Sequence, residues 1–71
     1  MASEEFELVS TNLESGSYDP DTQTLTIVFQ SGGTYEYTGV PQGIVEGLKR
    51  SGSPGSYFHR AIKPRFAGSE V

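Results

Sequence analysis

A change in the spacing of apolar residues near residue 38 limits the possible folds of this chain more than any other feature. Before that point Tyr35 and Tyr37 alternate with polar Glu36. Both rings therefore lie on one face of a strand, because successive strand side chains point to opposite sides. From Val40 onward the apolar residues recur at helical spacing instead. The chain thus predicts an α+β fold in which strands come first and helices second.

The strongest strand signal lies in residues 24–29, which are β-branched, apolar or aromatic and place three apolar side chains on one face: Leu25, Ile27 and Phe29. Ser31-Gly32-Gly33 follows and tolerates positive φ, so residues 24–38 predict a β-hairpin. A two-residue turn at 31–32 would point Tyr35 and Tyr37 away from that apolar face, whereas a three-residue loop at 31–33 would place them on it. The sequence leaves both registers open, and with them whether the two tyrosines are core or surface.

A shorter strand precedes the hairpin, ending near Tyr18 after an irregular approach from Val9. The Asp19-Pro20-Asp21 segment predicts the turn between the two strands. Proline pre-sets φ for the second turn position, and the aspartate before it can accept a hydrogen bond from the backbone beyond. The first half of the chain is therefore expected to form a three-stranded antiparallel meander.

The second half predicts two short helices packed on one face of that sheet. Pro41 suits the first helical position, and four apolar residues follow one side of the helix: Val40, Ile44, Val45 and Leu48. Ser51-Gly52 ends this helix. Ser53 then offers an N-cap with proline at the next position, and the second helix is expected to stop before Lys63-Pro64.

The length of the chain, 71 residues, allows one small domain without room for a deep catalytic cavity. We expect residues 1–5 to be disordered, residues 6–64 to form the domain and residues 65–71 to be a flexible tail.

The residue types that the chain lacks exclude several classes of site. It contains no cysteine and a single histidine, His59, so neither a disulfide nor a Cys or His metal cluster is expected. No apolar run approaches the roughly 20 residues of a membrane span, and the first residues are acidic where a secretory signal is basic and then apolar. We expect a cytoplasmic protein that is not an enzyme, with no cofactor, no metal, no membrane contact and no small-molecule substrate.

Charge is divided unevenly along the chain, whose net charge is −4. Residues 1–48 carry eight carboxylates and no lysine or arginine, whereas residues 49–71 carry all five lysines and arginines and one carboxylate. Such segregation can create a local positive field that a phosphate backbone would feel. The alternative is that the two halves attract each other in the fold, or that the basic end is simply solvated.

Four segments form an ordered set along the chain: Gly-Ser-Tyr-Asp at 16–19, Tyr-Glu-Tyr at 35–37, Val-Pro at 40–41 and Ser-Pro-Gly-Ser-Tyr-Phe at 53–58. Together they resemble the KTSC domain, a small module named for its occurrence at the C-terminus of some lysyl-tRNA synthetases and also found as a stand-alone bacterial or phage protein. The similarity covers residues 8–64. His59, where the pattern has asparagine, and the glycine-rich first helix depart from it. Attachment to a tRNA enzyme implies, as an expectation, an RNA-binding role.

The function expected from the residues is weak binding of RNA or single-stranded nucleic acid, with cations on phosphates and aromatic rings stacked on unpaired bases. The candidate residues are Lys49, Arg50, Arg60, Lys63, Arg65, Tyr35, Tyr37, Tyr57 and His59. The purely structural interpretation is that the tyrosines pack on the helices and the cations sit near helix C-termini, where the helix dipole favours them. The alternative function is a protein-interaction module that uses the sheet edge or an aromatic face. The sequence does not predict the oligomeric state.

Overall fold

Five short strands pair into one antiparallel sheet in the structure, a computed structural model that describes residues 3–71. The strands follow each other across the sheet in chain order: β1 (Glu4–Glu7), β2 (Leu13–Asp19), β3 (Thr24–Phe29), β4 (Thr34–Tyr37) and β5 (Gly68–Glu70). Two short helices, α1 (Gln42–Arg50) and α2 (Pro54–Tyr57), connect β4 to β5, and α2 continues into a π-helical segment, Phe58–Ile62. The predicted α+β class with two short helices is confirmed.

The predicted number of strands is wrong, because the sheet has five strands rather than three. β1 begins within the segment expected to be disordered, and β5 lies within residues 65–71, which were expected to form a flexible tail. Most side chains of these two strands are exposed, so no apolar alternation reveals them in the sequence. They form because the outer backbone groups of β2 and β4 can pair with any extended segment that reaches them. Met1 and Ala2 lie outside the described residues.

The β3–β4 hairpin has the register that places both tyrosines on the apolar face. Ile27 lies opposite Tyr35, and Leu25 lies opposite Tyr37. The amide of Phe29 donates to the carbonyl of Gly33 at 2.8 Å, which leaves a three-residue loop at 30–32 rather than at 31–33. Of the two alternatives that the sequence leaves open, the structure has the second face, with the loop one residue earlier than 31–33.

The core lies between this face of the sheet and the helices. Leu25 and Ile27 from β3 are 0% exposed, as are Val45 and Leu48 from α1 and Ile62 from the π-helical segment. Burying each such side chain contributes about 1.5–3 kcal/mol. The helices are too short to be stable alone, so this contact with the sheet holds them in place.

The turn and helix signals of the sequence are largely reproduced. The carboxylate of Asp19 accepts a hydrogen bond from the amide of Asp21 at 3.0 Å, as the turn prediction requires. Pro41 occupies the N-cap of α1, one residue before the expected position, and Pro54 begins α2 as predicted. No helix in residues 3–71 has the length and hydropathy needed to cross a bilayer.

The face of the sheet that points away from the helices is polar. One row across all five strands consists of Glu5, Ser17, Thr26, Glu36 and Ser69. Since this row contains carboxylates and hydroxyls but no cation, this face would repel a polyanion.

Candidate functional site

An open groove of about 830 Å³ lies where the loop after β3, the strand β4 and the π-helical segment meet. Its apolar lining is mostly aromatic: Phe29, Tyr35, Tyr37, Phe58 and Leu13. Polar and charged side chains also contribute to the lining, chiefly Asn12, Gln30, His59, Lys63 and Glu70. The groove therefore combines aromatic rings with hydrogen-bonding groups and charges of both signs.

Edge-to-face contacts fix the rings of the groove. The ring centroids of Phe29 and Tyr35 are 5.6 Å apart at an interplanar angle of 84°, and Phe29 meets Phe58 at the same distance and 77°. Phe58 also contacts Tyr37 at 5.4 Å. Phe58 and Tyr37 are buried, whereas Tyr35 is only partly buried. Tyr35 therefore keeps part of its side chain exposed at the groove.

The other two candidate tyrosines serve packing. The ring of Tyr37 lies against Gly68, where an added Cβ would overlap it, and burial raises the pKa of Tyr37, with a smaller contribution from neighbouring Tyr35. Tyr57 packs against Gly47 of α1 in the same way. These contacts bury Tyr37, whereas Tyr57 stays half-buried, as Tyr35 does.

The π-helical segment brings His59 and Lys63 to the groove. The amide of Lys63 donates to the carbonyl of Phe58 at 2.9 Å, five residues earlier, which widens the turn. The buried ring of Phe58 anchors this turn in the core, while His59 and Lys63 are exposed and line the groove four residues apart. Such π-helical turns are frequent at functional sites.

Lys49 is engaged elsewhere in the fold. Its ammonium contacts the carboxylate of Glu4 at 2.7 Å and that of Glu46 at 3.4 Å, and it lies 5.6 Å from the centre of the Phe6 ring. The hydrogen bond with Glu4 raises the pKa of Lys49 above its usual range. Lys49 thus ties α1 to β1, so at this residue the two oppositely charged halves attract each other.

The remaining cations, all exposed, fall at two places in the fold. Arg50 ends α1, beside Lys49 in the chain. Arg60 lies in the π-helical segment, where its Nε donates to the carbonyl of Ser56 at 3.4 Å, and Arg65 follows the segment. Arg50, Arg60 and Arg65 all lie outside the lining of the groove, so Lys63 is the one lysine or arginine among the described residues that lines it.

The polar lining that sequence reasoning missed comes from two loops far apart in the chain. The amide of Gln30 donates to the carbonyl of Asn12 at 2.8 Å, which joins the loop after β3 to the loop before β2. Ser10 shapes the second loop, since its Oγ accepts from the amides of Asn12 and Leu13. No local pattern marks these residues, because tertiary pairing of the strands brings them together. Within residues 3–71, no three His, Asp or Glu side chains are grouped so that they could hold a metal ion.

Comparison with known proteins agrees with the resemblance of the sequence. A model of the KTSC domain family matches residues 9–66. This chain belongs to the KTSC domain family. The matched residues contain β2, β3, β4 and both helices, while β1 and β5 lie outside them. The KTSC match thus coincides with the three-stranded unit that the sequence predicts.

Relatives of this KTSC domain occur in proteins of very different length. The lysine–tRNA ligase of Nostoc sp. (strain PCC 7120) is 51% identical over 49 residues, which cover 69% of this chain but only 9% of the ligase. An uncharacterized protein of Stutzerimonas stutzeri is 40% identical over 58 residues, 82% of each chain. The crystal structure of a KTSC domain protein from Yersinia pestis matches with a TM-score of 0.92 at 33% identity, covering 99% of each chain.

Proposed function

We propose that this KTSC domain is a small non-enzymatic module that binds single-stranded RNA in the groove between β4 and the π-helical segment. The observation that carries the proposal is the meeting of the accessible ring of Tyr35 with His59 and Lys63 in one groove. An unpaired base can stack on an aromatic ring whatever its identity, and a nearby ammonium contacts its phosphate.

The distribution of charge favours the groove over the sheet. Lys63 lines the groove, whereas the polar face of the sheet carries carboxylates. Glu70 is the one carboxylate that lines the groove among the described residues. The ligases among the relatives act on tRNA by name, and the matched part is a small fraction of their length. A segment of this length, 49 matched residues, is large enough to be an added RNA-binding module in those enzymes.

The test is a titration of fluorescently labelled single-stranded RNA at low ionic strength. We expect weak binding that is lost as salt rises, because each phosphate contact releases counterions. Lys63→Glu should abolish it, and Tyr35→Leu, which keeps an apolar side chain at this position, should weaken it by about 5- to 150-fold, since stacking on one ring is worth about 1–3 kcal/mol. Glu70→Gln should strengthen it.

Arg50→Glu is the matched control, because it makes the same change of charge at an exposed residue outside the groove. It should reduce affinity far less than Lys63→Glu does, with circular dichroism confirming that both variants are folded. The proposal fails if the unmodified domain binds no RNA at low salt, or if the two charge reversals have equal effects.

A protein-interaction role is a second candidate, favoured by the outer strands. β1 and β5 each pair with one neighbour only within residues 3–71, so each presents an edge to which another extended chain could add. Such an association would respond little to salt, whereas phosphate contacts weaken steeply with it. Sedimentation and co-precipitation at two salt concentrations would separate the two roles.

A further inference from the structure

The groove does not end at His59. A second depression, of about 540 Å³, lies between the loop before β2 and the connection from α1 to α2. The two depressions share four lining residues: Thr11, Asn12, Gly55 and His59. The two depressions therefore adjoin along a shared rim that includes His59, and we call the two together the track.

At the shared rim, Gly55 packs closely against the loop before β2. A Cβ added at Gly55 would lie 3.1 Å from the Oγ of Ser10, closer than side chains normally approach. Any larger residue at this position would meet the opposite loop. The close packing of the two loops at the rim thus depends on the absence of a side chain at Gly55.

We propose that this track holds several consecutive nucleotides of one RNA strand, with one base at Tyr35 and the following nucleotides crossing His59 into the second depression. The inference rests on the proposed function and deepens it. Either depression has the volume of an ordinary small-ligand site, about 300–1,000 Å³, so a single nucleotide needs only one of them. Other small modules for single strands contact about four nucleotides.

The chemistry of the second depression suits a sugar–phosphate backbone. Its lining consists mostly of glycines, hydroxyl side chains and the amide of Asn12, and no carboxylate contributes to it among the described residues. Hydroxyls, amides and backbone groups donate to phosphate and sugar oxygens without selecting a base. Arg60 directly follows His59 in the chain and is exposed. The affinity of the track for RNA should therefore depend on the length of the strand and not on its base sequence.

The test measures affinity against the length of labelled oligouridylates at low salt. For the unmodified domain, affinity should rise at least about tenfold from the dinucleotide to the hexanucleotide and then level off, since each further stacked or contacted nucleotide adds free energy. Gly52→Glu adds a carboxylate at a residue that lines only the second depression. Gly52 has no positive φ and no atom within 4 Å of an added Cβ, so the fold accommodates the change. This variant should bind the hexanucleotide no better than the dinucleotide and leave dinucleotide affinity unchanged.

Gly43→Glu is the matched control, because Gly43 is equally open but lies on α1 outside both depressions. Gly43→Glu should keep the rise in affinity from the dinucleotide to the hexanucleotide. If the unmodified domain binds dinucleotide and hexanucleotide equally, or if Gly52→Glu keeps the gain, the extended track is wrong while the groove remains an RNA site. If no oligonucleotide binds at all, the proposed function itself fails.

Discussion

Tyr18 shows how one side chain connects the sheet to the start of the helices. Its ring is 2% exposed, and its hydroxyl donates a 2.6 Å hydrogen bond to the carbonyl of Val40, just before α1. The amide of Val40 in turn donates to the carbonyl of Gln23 in the turn between β2 and β3. Both backbone groups of Val40 are thereby satisfied, which a buried residue requires.

The buried phenols predict a loss of stability in alkali. Burial raises the pKa of Tyr18, with a smaller contribution from Asp19, and burial likewise raises the pKa of Tyr37. Between the unfolded value, about 10, and the higher folded value, the folded chain binds more protons than the unfolded chain. The free energy of unfolding should therefore fall as pH rises above about 10, and the raised pKa of Lys49 acts in the same direction.

Urea denaturation at a series of pH values from neutral to alkaline measures this slope. Tyr18→Phe should flatten it, although the variant is less stable at neutral pH by about 1–3 kcal/mol because the buried carbonyl of Val40 loses its partner. An unchanged slope in Tyr18→Phe would mean that this phenol is not responsible.

The helix α1 contains two glycines, Gly43 and Gly47, whose surroundings differ. Gly43 has open space where a Cβ would lie, whereas a Cβ at Gly47 would overlap the hydroxyl of Tyr57. Alanine is favoured over glycine in a helix by up to about 1 kcal/mol. Gly47 therefore gives up helix propensity so that the ring of Tyr57 can pack across α1.

The two glycines yield opposite predictions for the same substitution. Gly43→Ala should raise the free energy of unfolding by up to about 1 kcal/mol. Gly47→Ala should lower it, because the ring of Tyr57 must move. Thermal denaturation of both variants provides the measurement, and equal stabilisation by the two would show that Tyr57 does not depend on Gly47. In a Tyr57→Leu background the alanine at residue 47 no longer meets a ring. Adding Gly47→Ala to Tyr57→Leu should therefore raise the free energy of unfolding, as Gly43→Ala does in the unmodified chain.

The π-helical segment is the element that the sequence did not predict. Residues 54–62 predict one ordinary helix ending before Lys63, and the predicted end is confirmed. The widened turn follows instead from packing, because the buried rings of Phe58 and Tyr37 meet edge to face while Ile62 fills the core. Local propensity carries no signal for such a turn, and the approach of His59 and Lys63 to the groove depends on it.

In the molecule as a whole, the central part of the chain carries the core. Among residues 3–71, the eleven buried hydrophobic residues all lie between Leu8 and Ile62, whereas β1 and β5 only flank the sheet. β1 nevertheless contributes Phe6, whose ring covers Gly16 of β2, and Glu4, which holds Lys49. The outer strands therefore add stability to a unit that already contains its core.

A chain of residues 8–67 tests this division. It should unfold cooperatively at a lower temperature than the whole chain, because the core is retained while the edges of β2 and β4 become exposed. Gly16 then loses the ring of Phe6 that covers it, and the ring of Tyr37 loses its cover at Gly68. Calorimetry measures the unfolding midpoint.

Chains that lack only one outer strand, residues 8–71 and residues 1–67, are the controls and should unfold at intermediate midpoints, since each keeps one of the two added pairings. Loss of cooperative unfolding in the 8–67 chain would make the outer strands essential to the fold.

Neighbouring residues in the chain were enough to predict the order of the three central strands and the two helices, the turn at Asp19, the start of α2 and the family, because each of these is a local property of the sequence. Three other features emerged only once the strands had paired: β1 and β5 complete the sheet, Tyr35 stays accessible while Tyr37 is buried, and Asn12 meets Gln30. They depend on register and on pairing between distant segments, since a shift of one residue reverses every side chain of a strand.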